Sequence, residues 1–137
     1  MYPAELTKPM AMELENYGFQ SLKTPSEVDQ LLSENEGTVL LVVNSVCGCA
    51  AANARPGAIS AINHEKKPAK LATVFAGVDR EATEKARNYM LPYPPSSPSI
   101  ALFKDGKLVH FLERHHIEGR SAEIISTNLQ LAFDRFC

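Results

Sequence analysis

The chain has 137 residues, about one domain's worth, and is 45% apolar and 22% charged, which excludes a disordered tail, a collagen-like chain and a coiled coil. A net charge of −2 and the absence of Trp argue against broad phosphate-backbone binding and against base-stacking platforms, so no nucleic-acid partner is expected. The longest apolar run, at 39–43, is strand length, and no basic-then-apolar leader opens the chain, so no membrane partner and a cytoplasmic location are expected.

The stretch 4–17 has a helical pattern, with Leu6, Met10 and Leu14 on one face and Pro9 as a kink or as the true start. Gly18 and Phe19 are a plausible stop. Thr24-Pro25-Ser26-Glu27 is a capping box with Pro at the first helical position, followed by the i, i+3, i+4 face of Val28, Leu31 and Leu32, and that helix is expected to end near Gly37. Residues 38–46 form a strand. Consecutive apolar positions there require both faces to be covered, as at the centre of a sheet between helices. After Cys47-Gly48-Cys49, a helix rich in small residues spans 50–62, and Pro56 should kink it.

A polar, lysine-rich loop at 64–70 leads into a strand at 71–76. Asp79 is the expected N-cap of a helix over 80–90. Four prolines make 91–98 a stiff loop before a strand at 99–103. Asp105-Gly106 is a hairpin signal, and 108–112 supplies the antiparallel partner. A last helix over 121–136 carries Ile125, Leu129, Ala132 and Phe136 on one face. The order predicts one α/β domain over residues 1–137: a three-layer α/β/α sandwich with a mixed central sheet and extra N-terminal helices.

Cys47 falls where a buried strand gives way to a helix, the place where chemistry collects in an open α/β sheet. Unpaired backbone donors and the partial positive charge of a helix start favour thiolate over thiol, which makes Cys47 the expected nucleophile. Cys49, one step into the helix and more shielded, is positioned to attack a mixed disulfide on Cys47. A Cys47–Cys49 bridge would close a small, labile ring, with Gly48 permitting the tight backbone. No lysine accompanies Cys47, so the helix end is expected to supply most of the activation. Asn44 and Ser45 either donate hydrogen bonds near the sulfur or simply finish the strand.

Pro98, at the start of a strand, is the candidate cis proline, which would let the Ser97 backbone face the Cys47 sulfur. Pro92, Pro94 and Pro95 stiffen the loop. Arg114, His115 and His116 either wall the site or lie exposed in a loop, and His64 and His110 are surface or strand residues. Three cysteines, two of them nearly adjacent, do not form a disulfide framework. A thiolate metal module built from Cys47, Cys49, Cys137 and a histidine is a weaker alternative, because the spacing is tighter than zinc sites use. The expected metal content is none, and Cys137 is either a third exchange thiol or an optional one.

The strand, Cys-x-Cys, kinked helix and Ser97-Pro98 before a hairpin resemble a thioredoxin fold with an altered active site. The sequence more closely resembles the bacilliredoxin family over nearly its whole length. The words that carry this are Val43-Asn44-Ser45-Val46-Cys47-Gly48-Cys49-Ala50-Ala51, Ala54-Arg55-Pro56, Thr73-Val74-Phe75-Ala76-Gly77, Pro95-Ser96-Ser97-Pro98-Ser99, Ile117-Glu118-Gly119 and Ala132-Phe133-Asp134 with Cys137. The resemblance implies removal of the low-molecular-weight thiol bacillithiol from S-bacillithiolated proteins, with bacillithiol as co-substrate and no resident cofactor. Cys47 would take the bacillithiol. Cys49, or a second bacillithiol, would then resolve the adduct. Arg55 is a candidate contact for the carboxylates of bacillithiol's malate group, or else a structural pair. A general protein disulfide reductase or isomerase is the other reading of the same motif.

Overall fold

The computed structural model describes residues 2–33 and 36–137. Along the chain run α1 (Ala4–Glu15), β1 (Gln20–Ser21), α2 (Pro25–Leu32), β2 (Thr38–Asn44), a π-helical turn (Ala50–Ala54) continuing as α3 (Arg55–Ala61), and β3 (Lys70–Phe75). Then follow α4 (Arg80–Asn88), β4 (Ser99–Lys104), β5 (Lys107–Leu112), α5 (Arg114–Ile117) and α6 (Ala122–Phe136). The sheet order is β1-β3-β2-β4-β5. β1, β3 and β2 are mutually parallel, and β4 and β5 are antiparallel to their neighbours.

All of β2 is buried. Leu40 and Val42 face the layer built from α1, α3 and α6, while Val39, Leu41 and Val43 face α2 and α4. This alternation explains why apolar residues occupy every position of the strand: each face of the pleat meets a helical layer. The expected three-layer sandwich with a mixed sheet is what forms. Half of the α2 capping box forms, with the Glu27 N–H donating to Thr24 Oγ1 at 3.2 Å, while the Glu27 carboxylate accepts from the Lys23 N–H, one residue before the N-cap N–H that a full box uses. Asp105 and Gly106 both take positive φ (52° and 80°), the geometry of a two-residue hairpin turn.

Several local expectations are corrected. Leu14 is buried as expected, but Leu6 is 44% exposed and Thr7, one position on, is buried in its place. Pro9 neither starts nor ends α1, which runs through it. α2 stops at Leu32; its expected continuation toward Gly37 crosses residues 34 and 35, which lie outside the described residues. Asp79 occupies the N-cap position of α4 without a side-chain cap bond; its backbone carbonyl accepts from Thr83 Oγ1 instead. The helix after the cysteines changes from π to α where Pro56 removes a donor. Phe133, fully buried, joins the α6 face foreseen from Ile125 and Leu129. The peptide bonds before both Pro92 and Pro98 are cis.

Candidate functional site

Register brings four separate segments to one end of the sheet. Asn44 ends β2 opposite Phe75, so the Cys47 loop and Ala76-Gly77 emerge side by side. Val43 pairs with Ser99 and Ile100 with Leu112, so the residues before β4 and after β5 arrive at the same end. Ser97 and Arg114 thus meet Cys47 through strand pairing alone. These groups line an open cavity of about 480 Å³ with Tyr2, Ser45, Val46, Ala76, Gly77 and Arg87.

Cys47 and Cys49 are free thiols, both half-buried. The Cys47 carbonyl accepts from the N–H groups of Ala50 (2.9 Å) and Ala51 (3.3 Å), so the helical turn starts directly under it. Its Sγ accepts from the Cys49 N–H at 3.4 Å and from Arg114 Nη2 at 3.2 Å. The Cys47 thiol is held below its ordinary range, first by the hydrogen bond from the Cys49 thiol, with the Cys49 N–H, the Arg114 charge and the Ala50 N–H adding to it. Burial pushes Cys49 up, as does the neighbouring Cys47. The two shifts run in opposite directions, Cys47 toward the thiolate and Cys49 toward the thiol, which is the asymmetry a nucleophile and a resolving thiol require.

The helix start acts through the Cys49 and Ala50 N–H groups, alongside the Cys49 thiol and the Arg114 charge. Cys49 contributes most, and the missing lysine is replaced by Arg114. Arg114 is steered by Glu118 (2.8 Å) and by the Ser97 carbonyl (3.1 Å) as well as by the sulfur. Its exposed neighbours His115 and His116 make no contact with the thiol; His116 Nδ1 accepts from the Glu113 N–H. Ser97 reaches Cys47 indirectly, through the Arg114 guanidinium that both accept from. Gly48 does not use its conformational freedom in the dithiol form: its φ is not positive, and a Cβ there would meet nothing within 4 Å.

Asn44, Ser45 and Arg55 form a support behind the site. Arg55 is only 3% exposed, and its Nε donates to Glu13 (2.9 Å) while its Nη1 donates to Asn44 Oδ1 (2.9 Å) and the Ser45 carbonyl (3.1 Å). Asn44 Oδ1 also accepts from the Ser45 N–H, Asn44 Nδ2 donates to the Met10 carbonyl, and Ser45 Oγ accepts from the Cys47 N–H. Neither Asn44 nor Ser45 donates to the sulfur. Arg55 is the structural pair and faces no ligand; it ties α1 to the loop that carries Cys47.

The three thiols do not converge. Cys137 hydrogen-bonds Thr38 at the start of β2, the opposite end of the strand from Cys47, and burial pushes its thiol up. Among the described residues, three ligand-type side chains gather only at Glu113, His115 and His116, and none is a cysteine. A metal module on three cysteines and a histidine does not form. His64 pairs with Asp134 and His110 with Asn128, both away from the site.

Comparison with known proteins places this geometry in context. The family model described as disulphide isomerase matches residues 2–137. A bacilliredoxin of Cytophaga hutchinsonii is 60% identical over 134 residues, covering 98% of both chains. A bacilliredoxin of Halalkalibacterium halodurans is 50% identical over 136 residues, covering 99% of this chain and 94% of its own. Among solved structures, Fasciola hepatica thioredoxin superposes with a TM-score of 0.59 at 23% identity, covering 87% of this chain and all of that one.

Proposed function

This chain belongs to the bacilliredoxin family and is a thiol–disulfide oxidoreductase on a thioredoxin-like fold, and from that premise we propose that it removes bacillithiol from S-bacillithiolated proteins in a reducing, cytoplasmic setting. The observation that carries this is Cys47 Sγ, which accepts from the Cys49 N–H and from Arg114 Nη2 at the edge of an open cavity, donors that favour its thiolate.

The thiolate of Cys47 attacks the bacillithiol sulfur of the mixed disulfide. A Cys47–sulfur bond forms, the original S–S bond breaks, and the target protein leaves as a thiolate that takes a proton from water. The adduct carries no charge on Cys47. Cys49 stays buried but thereby loses the neighbouring charge that added to burial in raising its pKa, and it keeps Arg114, which lowers it. The deprotonated Cys49 then attacks Cys47 Sγ and bacillithiol leaves, so the dithiol gives up two electrons and becomes a disulfide. Alternatively a second bacillithiol attacks the adduct, releasing bacillithiol disulfide and the Cys47 thiolate. The two thiols supply all the chemistry, with bacillithiol as co-substrate and no resident cofactor or metal.

The test is a purified S-bacillithiolated protein incubated with wild type, Cys47→Ala and Cys49→Ala. Wild type should release bacillithiol, Cys49→Ala should accumulate a bacillithiol adduct on Cys47 by intact mass, and Cys47→Ala should do neither. Equal release by wild type and Cys47→Ala overturns the proposal. The name of the family model supports a second reading, disulfide isomerisation. It requires faster turnover of a mispaired disulfide protein than of the bacillithiolated one.

A further inference from the structure

A second cation lines the cavity, and the exchange steps leave it unused. Arg87 comes from α4 and Arg114 from α5, so separate elements bring two arginines to the lining of the cavity that Cys47 also lines. Arg87 Nε is buried and has no hydrogen-bond partner among the described residues. Burial pulls the Arg87 guanidinium down from its ordinary range, while Glu84, one turn earlier on α4, favours its charge. An unpartnered buried donor is costly, above all on a charged group, unless something else completes its bonding. Arg55, the other arginine near the loop, is engaged by Glu13, Asn44 and Ser45. The far wall is closed by Tyr2, whose ring lies 3.0 Å from where a Cβ on Gly77 would stand; Gly77, with φ +86°, leaves room for it.

We infer that Arg87 and Arg114 form an anion subsite beside Cys47 that seats the carboxylate of a low-molecular-weight thiol and so selects which half of a mixed disulfide is attacked. The inference rests on the thiol-exchange reading and adds a specificity residue to it. The Arg87 guanidinium presents a planar fork of donors that matches a carboxylate, while Arg114, whose three nitrogens already donate to Glu118, the Ser97 carbonyl and Cys47 Sγ, adds its charge. A mixed disulfide offers two sulfurs, and seating the small anionic partner against this pair brings its sulfur, rather than the protein's, to the thiolate. The Cys47–sulfur bond then forms to the small thiol, and the electron pair of the broken S–S bond leaves with the protein sulfur. One disulfide is consumed and one is made, so no external oxidant is needed for this step.

The experiment uses the full-length protein and one carrier peptide carrying a single cysteine. The peptide is prepared as its mixed disulfide with mercaptosuccinate, which bears two carboxylates, with neutral 2-mercaptoethanol, or with cationic cysteamine. Wild type should prefer the mercaptosuccinyl substrate over the other two. Arg87→Gln should lower the ratio of kcat/KM for the mercaptosuccinyl to the hydroxyethyl substrate by about tenfold, and Arg87→Lys should lower it less. In a Cys49→Ala background, intact mass should find mercaptosuccinate on Cys47, and adding Arg87→Gln should shift the adduct toward the peptide. A ratio cancels the amount of folded enzyme, so partial misfolding does not imitate the effect. A wild-type ratio near one, or a ratio that Arg87→Gln leaves unchanged, overturns the subsite while exchange itself stands. No reaction of the wild type with any of the three overturns the exchange reading, and the subsite with it.

Discussion

At the scale of single residues, the two cysteines divide their roles because each is the other's environment. The Cys49 thiol donates to Cys47 and so favours the thiolate there, while that charge and burial keep Cys49 protonated. The expected result is that Cys47 alkylates with iodoacetamide at a pH below the ordinary thiol range and Cys49 only above it. Removing either favourable neighbour moves the Cys47 profile upward. Cys49→Ala should move it further than Arg114→Gln, since the Cys49 contribution is the larger; the reverse order in a pH–rate profile would refute that ranking. Arg114 also shows what the sequence left open. It lies 67 residues from Cys47, and only the pairing of β4 with β2 and β5 carries it to the sulfur. The hairpin signal at Asp105-Gly106 returns the chain toward the residues before β4, but a register shift at Leu102/Phe103 moves the pairing by one residue from a simple count, and nothing local turns Arg114 to the sulfur.

At the scale of elements, the helix behind Cys47 is positioned by close contact. Gly57 lies in α3 against α6, where a Cβ would come within 2.6 Å of Ile125 Cγ2 and 3.3 Å of the Ala122 carbonyl. Small residues in this helix thus serve its approach to α6 as well as to the sheet. Gly57→Ala should destabilise by about 1–3 kcal/mol, through overpacking that the core cannot relax away. Urea denaturation would measure it, and Ile125→Ala, which removes the clashing Cγ2, should cost less in the Gly57→Ala chain than in the wild type. The contribution of α1 is electrostatic: through Glu13 it neutralises the buried Arg55 that holds the Asn44–Ser45 loop. Glu13→Gln should cost about 1–3 kcal/mol, below the roughly 3–5 kcal/mol of a fully buried pair, because the carboxylate is partly exposed. A thermal melt showing no change would remove the structural role assigned to this pair.

At the scale of the whole molecule, the sheet is sealed on both sides, and β2 is the strand that both layers share. Leu40 and Leu41 are adjacent in sequence, fully buried, and belong to opposite cores. Leu40→Ala and Leu41→Ala should therefore each cost about 2–5 kcal/mol. Were either face open to water, one of the two substitutions would be nearly neutral in the same denaturation experiment. Charge is organised on this scale too: a chain of net charge −2 lines the cavity of its reactive sulfur with Arg87 and Arg114.

The architecture and the reactive pair were legible from local signals. A run of apolar residues bounded by helical patterns can only be an inner strand, the capping box and Asp-Gly turn act over four residues, and Cys47-Gly48-Cys49 carries its own chemistry wherever a strand meets a helix. The partners of that chemistry were not legible. Arg114 at the sulfur, Arg87 in the cavity wall, Arg55 locked behind the loop and Cys137 at the far end of β2 are all set by which strands pair and which helices share a face. Local sequence fixes the backbone's short-range preferences, but an arginine has the same side chain whether it ends in solvent, in a buried ion pair or beside a thiolate. Only the distances imposed by strand register and layer packing decide among those fates.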